Sequence, residues 1–512
     1  MNDERFRLSR RQFLSKGTCG LMGIGSLVNT MSQLQLMNSA VASTLGPVSS
    51  DYKALVCIFL RGGCDMNNVL IPVGENPQAA TYASDRGAVA IPNGVETSFN
   101  PDGEDVTHHL SGTPAPFGLH PSLTNLANIY NAGEAGFITN VGTLAEHTTR
   151  DTYNSSSLPR QLFSHSDQVT EWMSSIADAP YTSGWGARVA DLYHDTWNTL
   201  SNSSMLISAS GNNQFLNGST DVPQYTVTTT GAVSLSGFGT DYSNALNPDG
   251  TYRDTSQGHR LKGLERIMAY SHSNLIGEAY TSIVKRARET EAVITAATQS
   301  ATDIGLDLDA IFSTYGAAGT NIGDELLSIA RLIAGRSQLG NNRQIFFVDL
   351  GGFDNHQDIN EDLTLLLSEL DAALGAFHAS MQALATLDAD FDSNMVTTFQ
   401  ASDFNRTWTP NGEDPTSAGT DHAWGSHAFV MGGAVQGGNL YGTLPELAVG
   451  GISDVPSGTR GRWIPTTSVD QYAAVLAHWF GVPLNSSEMQ TIFPNLDRFD
   501  DPFTGTANLA FL

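Results

Sequence analysis

The 512-residue chain sets 25 lysines and arginines against 52 aspartates and glutamates, a formal net charge of −27, and such a surface argues against nucleic acid and anionic lipid as partners. Its length suits one large α/β domain with insertions or two to three smaller domains. Beyond the N-terminal region no stretch is apolar for long enough to form a membrane helix.

The first residues read as an address rather than as part of the fold. Arg10 and Arg11 stand in SRRQFL, a modestly apolar stretch follows from Gly17 to about Val28, and Ala40, Val41 and Ala42 form a small-residue cleavage site. These parts in this order predict a twin-arginine export signal over residues 1–42 and a periplasmic or secreted product in which residues 43–512 form one domain. Cleavage would remove Arg5, Arg7, Arg10, Arg11 and Lys16 with Asp3 and Glu4, deepening the net charge from −27 to −30 and leaving Lys53, Lys262 and Lys285 as the lysines. Cys57, inside a predicted strand, and Cys64, in the loop after it, are expected to be buried thiols rather than a disulfide.

Ala54–Leu60, ALVCIFL, is a continuous apolar run too short for a helix and reads as a strand covered on both faces. It runs into RGGCDMNN, which presents Asp65 at the strand's carboxyl end. Residues 74–118 are polar and carry proline and glycine, so they are expected to form a long surface connection. A helix over Pro121–Ala132 and a strand over Gly136–Val141 follow. Ser164 precedes a helix whose apolar residues are Val169, Trp172, Met173 and Ile176, the position of an N-cap. A helix is predicted over Trp185–Trp197, a weak strand over Ser204–Ser208, an irregular polar insertion over about 211–256, and helices over Leu261–Ala297 and Gly323–Ala334.

Gln344–Leu384 is the clearest strand and helix pair. Ile345–Leu350 is the strand, and Leu363, Leu366, Leu367, Leu370, Leu374, Phe377, Met381 and Leu384 recur at three- and four-residue steps, the stripe of a core-packed helix. Met395–Phe399 and Ala428–Met431 read as strands and Val469–Phe480 as a closing helix. Strands alternating with helices predict an α/β fold with a largely parallel sheet, helices on both faces and the site at the carboxyl ends of the strands.

Four such ends carry candidate ligands. They are Asp65, then Asp354 with His356 in GGFDNH, then Asp403 in SDFNRT, and finally Asp421, His422 and His427 in GTDHAWGSH. Carboxylate oxygens and imidazoles gathered this way are the donors of a divalent ion, Zn²⁺ or Ca²⁺, with Mg²⁺ or Mn²⁺ as alternatives. Asp421 is equally a residue that orients a histidine.

The LRGGCDMNN turn, GLHPSL at Gly118–Leu123, SHS at Ser164, GGFDNH, SDFNRT and the run GTDHAWGSHAFVMGGAVQGG at Gly419–Gly438 together resemble the domain-of-unknown-function 1501 family. Those exported proteins are similar to the alkaline phosphatase and sulfatase superfamily. The resemblance implies an alkaline-phosphatase-like sandwich and a one- or two-metal centre held by Asp65, Asp354, His356, Asp403 and His422 or His427. It also implies a nucleophile at a helix N-terminus, where Ser164 or Ser166 stands, with Ser164 preferred because it occupies the serine position of the family's SHF; the same serine would equally serve as a helix cap. The chain departs from the family's SEFGRT at Asp403 and Asn405 and from its SHF at Ser166, and neither cysteine has the context of a formylglycine precursor.

On this basis the expected activity is metal-dependent hydrolysis or group transfer on an anionic ester, small-molecule or glycan, phosphate before sulfate. Arg406 or Arg61 would fork onto the anion, unless a salt bridge to an acidic neighbour claims it. The alternative is a non-catalytic exported protein that keeps a structural metal and binds a surface glycan or a protein partner.

Overall fold

The computed structural model describes residues 51–92, 97–98, 106–108, 114–199, 203–218, 222–229, 231–232, 237–238, 242–247, 251–268, 294, 297, 302–456 and 460–512. The predicted export signal, most of the connection at 93–113, part of the polar insertion, and the helix predicted beyond Met268 apart from Ile294 and Ala297 lie outside these residues. Pro47–Thr230 and Thr298–Leu512 make one structural unit. A second unit, to which Gly231–Ala297 belong, has its own apolar cluster of Phe238, Tyr242, Ala245, Leu246 and Leu261 and a helix over Ser256–Met268.

The first unit is built on a mixed, mostly parallel sheet. Its principal elements are β1 (Lys53–Arg61), β2 (Ala135–Gly142), α1 (His165–Ser174), α2 (Trp185–Trp197), β3 (Leu206–Ser208), β4 (Tyr225–Thr228), α3 (Asn321–Ala334), β5 (Arg343–Gly351), α4 (Ile359–Leu387), β6 (Val396–Ser402), β7 (Ser426–Met431), β8 (Asn439–Tyr441) and α5 (Val469–Phe480). The strand order is β4-β3-β5-β1-β6-β7-β2-β8, continued by Val106–His108 and Pro114–Ala115. From β4 to β6 every pairing is parallel, β7 runs antiparallel to both β6 and β2, and β8 lies parallel to β2.

Alternation along β1 explains why its sequence is apolar throughout. Leu55, Cys57 and Phe59 join Ile345 and Phe347 in a core cluster with Val169 and Trp172 of α1, Trp185 and Val189 of α2 and Tyr472 and Leu476 of α5. Ala54, Val56, Ile58 and Leu60 point to the opposite face and are equally buried. There α3 packs on β5 and α4 packs on α3. The predicted leucine stripe is the buried side of the 29-residue α4. Cys57 and Cys64 are buried free thiols, as expected.

Two expectations change. The start of the connection after β1 is packed rather than superficial: Ala79–Arg86 is a helix with Tyr82 and Arg86 buried, and Tyr82 sits in a cluster with Ile71, Trp408 and Trp463. The strand expected from Ala428 begins at Ser426, so His427 belongs to the sheet. Among the described residues no helix is long and apolar enough to cross a membrane.

Candidate functional site

Three adjacent parallel strands, β5, β1 and β6, end side by side, with Leu60 opposite both Leu350 and Ser402. Their carboxyl-end turns are drawn together by glycine. Gly62, at φ +112°, lies so close to the β5 turn that a Cβ would meet the Asp354 nitrogen at 2.6 Å. Gly419 does the same for the late segment, since a Cβ there would approach the His356 carbonyl carbon at 2.1 Å. Larger residues at these points would push Asp354, His356 and His422 apart.

The turns deliver a cluster in which α1 takes part through its first residue. Nε2 of His165 lies 3.0 Å from Nε2 of His422 and 3.4 Å from Oδ1 of Asp354, and the last two are 3.2 Å apart. His356 approaches from another side, its Nε2 3.0 Å from both His422 Nε2 and Asp354 Oδ1. A tetrahedral ion with bonds of about 2.0–2.1 Å separates its donors by about 3.3 Å, so His165, His422 and Asp354 have the spacing of one face of such a shell.

The outer nitrogens decide what the inner ones can do. His165 Nδ1 donates to Asp403 Oδ2 at 2.8 Å, His356 Nδ1 to Asp421 Oδ1 at 3.0 Å and His422 Nδ1 to the Phe163 carbonyl at 2.8 Å. A carbonyl or an ionised carboxylate only accepts, so each Nδ1 carries a proton and each neutral ring turns a bare Nε2 inward. The lone pairs of His165 and His422 therefore converge with Asp354 Oδ1, and that of His356 faces the same oxygen from the other side, an arrangement that a cation or added protons must satisfy.

The outer partners are themselves fixed. Asp403 also accepts from the Gly62 amide at 3.1 Å, and Asp421 pairs with Arg460 at 2.8 Å. Phe163 adopts φ +75°, and Arg462 lies 4.4 Å from the centre of its ring. Arg406, fully buried, donates to Asp354 Oδ1 at 2.7 Å and to the Thr420 carbonyl. Electrostatics follow from these contacts. The hydrogen bond that His165 donates to Asp403 raises the His165 pKa against a smaller opposing effect of burial. Burial lowers that of His422, with the Phe163 carbonyl opposing. For Asp354, burial alone would raise the carboxyl, but Arg406, His165 and His356 outweigh it and hold the group below its ordinary value.

Residues 52–455, which supply every inner member of the cluster, match the family described as Protein of unknown function (DUF1501). The chain belongs to the DUF1501 family. No curated protein and no solved structure matches it.

In this DUF1501 protein the predicted site residues separate into those that reach the cluster and those that do not. Asp354, His356 and His422 converge. Asp403 reaches it through His165, because both of its oxygens are taken by the ring and by the Gly62 amide. Asp65, expected as a ligand, is instead ion-paired with Arg86, both side chains being fully buried. His427, also expected, is buried in β7, where Nδ1 accepts from the Asn140 amide and burial lowers its pKa to about 4. Arg406 is consumed by Asp354 and Thr420, so the salt bridge claims it, and Arg61 commits Nε and Nη2 to Asp349 at 3.0 and 2.7 Å, which leaves Nη1 without a place in that fork.

Ser164 occupies the N-cap of α1 but makes no side-chain cap bond. Its hydroxyl donates to Asp167 Oδ2 at 2.8 Å, and Ser166 donates to the same oxygen at 3.2 Å. Ser166 lines a cavity of about 680 Å³ together with His165, Asp354 and Asp403. His165 is the functional residue that the sequence reading missed. The signal lay inside the SHS segment, where only the serines drew attention. Asn405, a departure from the family pattern, is also put to use: it accepts from the Met66 and Arg406 amides and donates to the Gly425 carbonyl.

Proposed function

We propose that this DUF1501 protein is a metal-dependent hydrolase or transferase of anionic esters, with an alkaline-phosphatase-like sandwich as its scaffold. The reading is carried by the convergence of the Nε2 atoms of His165 and His422 with Asp354 Oδ1, each ring held by an acceptor on its other nitrogen. A donor set of two imidazoles and one carboxylate suits Zn²⁺ better than the hard, oxygen-seeking Ca²⁺ or Mg²⁺. His165, His422 and Asp354 would hold the ion, Asp403 and the Phe163 carbonyl would orient the rings, and His356, held by Asp421, would stand beside them. Bound there, the ion would supply Lewis acidity to the ester and to the group that attacks it.

Access favours catalysis over a purely structural metal. His165, His422 and Asp354 would leave a fourth tetrahedral position open, and their side chains are 33%, 24% and 46% exposed, whereas structural sites are closed by four protein ligands. The adjoining cavity brings Ser166 to the same wall as His165, so of the two serines Ser166 is the better nucleophile, with Asp167 at 3.2 Å to take its proton. Arg406 acts here as a positioning residue for Asp354. The arginine pair near the N-terminus supports twin-arginine export of the folded protein.

Elemental analysis and turnover of a panel of phosphate monoesters, phosphate diesters and sulfate esters test the reading. Zinc near one equivalent and phosphate-ester turnover abolished by chelation are expected. Zinc-loaded protein inert toward the whole panel would contradict the hydrolase assignment, and full activity in Ser166→Ala would remove the serine from the chemistry.

A further inference from the structure

The cavity beside the cluster has a lining that selects among esters. It holds about 680 Å³, within the usual range of small-molecule sites. Away from the cluster its polar groups are the neutral amides of Asn212, Asn213 and Gln214 and one guanidinium, that of Arg61. Asn213 is engaged internally, donating to Ser208 and accepting from the Leu216 amide. Gln214 meets Thr170 through one end of its amide at 3.1 Å, while the Thr170 proton goes to the Ser166 carbonyl at 2.7 Å, which leaves the other end of the Gln214 amide for a ligand. Arg61 uses Nε and Nη2 on Asp349, leaving Nη1. Asn212 is exposed at the cavity.

These groups argue against three substrate types. No phenylalanine, tyrosine or tryptophan among the described lining residues offers a face for a nucleobase. Val169 and Met173 are the only large apolar side chains there, too little surface for an acyl chain. A single guanidinium, already sharing its charge with Asp349, does not suit a second phosphate. Amides, by contrast, donate and accept side by side and so match vicinal hydroxyls.

We propose that the substrate is a monoester of a sugar or sugar-like polyol, its anionic group at the histidine cluster and its hydroxyls on Asn212, Gln214 and Arg61 Nη1. This rests on the ester-hydrolase reading above. Phosphate and sulfate monoesters share the recognition chemistry, so the test carries both.

Initial rates are measured on zinc-loaded protein with 4-nitrophenyl phosphate, hexose phosphates and hexose sulfates, for wild type and for the Asn212→Ala/Gln214→Ala double variant. The best hexose monoester is expected to exceed 4-nitrophenyl phosphate at least tenfold in kcat/KM. In the double variant that selectivity ratio should fall about tenfold, mainly through KM, since each lost hydrogen bond costs a factor of about 2–12. A wild type with no hexose preference, or a ratio unmoved by the substitutions, would overturn the sugar assignment while leaving ester hydrolysis intact. Failure to turn over any ester would overturn ester hydrolysis and the sugar assignment with it.

Discussion

Two neighbouring strands end in turns that each present an aspartate, and the protein uses the two in opposite ways. After β1, Asp65 is buried against Arg86, which also donates to the carbonyls of Thr407 and Trp408 at 3.0 Å. After β5, Asp354 stays nearly half exposed and faces three imidazole nitrogens. An aspartate at a strand end therefore says little by itself. What faces its oxygens decides whether it closes the fold or opens a site, and at Asp354 the one fixed cation, Arg406, leaves the same oxygen within reach of the histidines.

The largest effect should come from breaking the closed member of this comparison. Arg86→Met leaves the Asp65 carboxylate buried without a counter-charge and should lower unfolding free energy by about 3–5 kcal/mol in a denaturant titration. Zinc uptake per folded molecule should survive. The open member should respond the other way round. His422→Ala removes an inner nitrogen and should weaken zinc binding by more than the roughly 10–100-fold expected for an outer partner, with a smaller change in the denaturation midpoint of metal-free protein because the site is partly exposed. Asp403→Asn tests the outer partner of His165 and should cost about 10–100-fold in zinc affinity by competition with a chromophoric chelator, and Asp421→Asn, which frees His356 beside that donor group, should cost less. Unchanged affinity in Asp403→Asn would detach the second layer from the site.

Glu171 extends the comparison to a buried acid with no close cation. It lies on α1, hydrogen-bonded by Gln168 at 2.6 Å, and burial raises its pKa to about 8 despite that bond. The folded protein then holds a proton that the unfolded chain has released above the ordinary carboxylate range. Stability should decline as pH rises from about 4.5 to about 8. Glu325 and Asp470, both raised to about 7, act in the same direction. His427, lowered to about 4 by burial, acts in the opposite sense below its ordinary 6.5. His165, raised above its ordinary 6.5, adds to the decline above that pH, and Glu171→Gln should flatten the part of the slope between about 4.5 and about 8 that Glu171 contributes.

Much of the scaffold was legible because apolar periodicity is a local property. Trp185–Trp197 and Val469–Phe480 run between the predicted residues, and the apolar runs before Asp65, Asp354 and Asp403 are the three strands that align the site. The site was less legible because it is assembled from distant pairs. His165 meets Asp403 and His422 across 238 and 257 residues of chain, and nothing beside it in the sequence announces either partner. Arg86 neutralises Asp65 from a stretch whose polarity reads as surface. Ser426 continues β7 by pairing with Val141 of β2, and His427 lies at the register shift between Ser426 and Ala428, where its ring accepts from the Asn140 amide, so a tertiary contact rather than β-propensity drew the histidine into the sheet.

The convergence of two imidazole nitrogens and one carboxylate oxygen predicts that His165, His422 and Asp354 share an ion. X-ray absorption at the zinc edge of the zinc-loaded protein tests it most directly. A shell of nitrogen and oxygen donors at about 2.0–2.1 Å with multiple-scattering features of about two imidazoles is predicted. An all-oxygen shell, a sulfur donor, or a protein that takes up no zinc at all would contradict it.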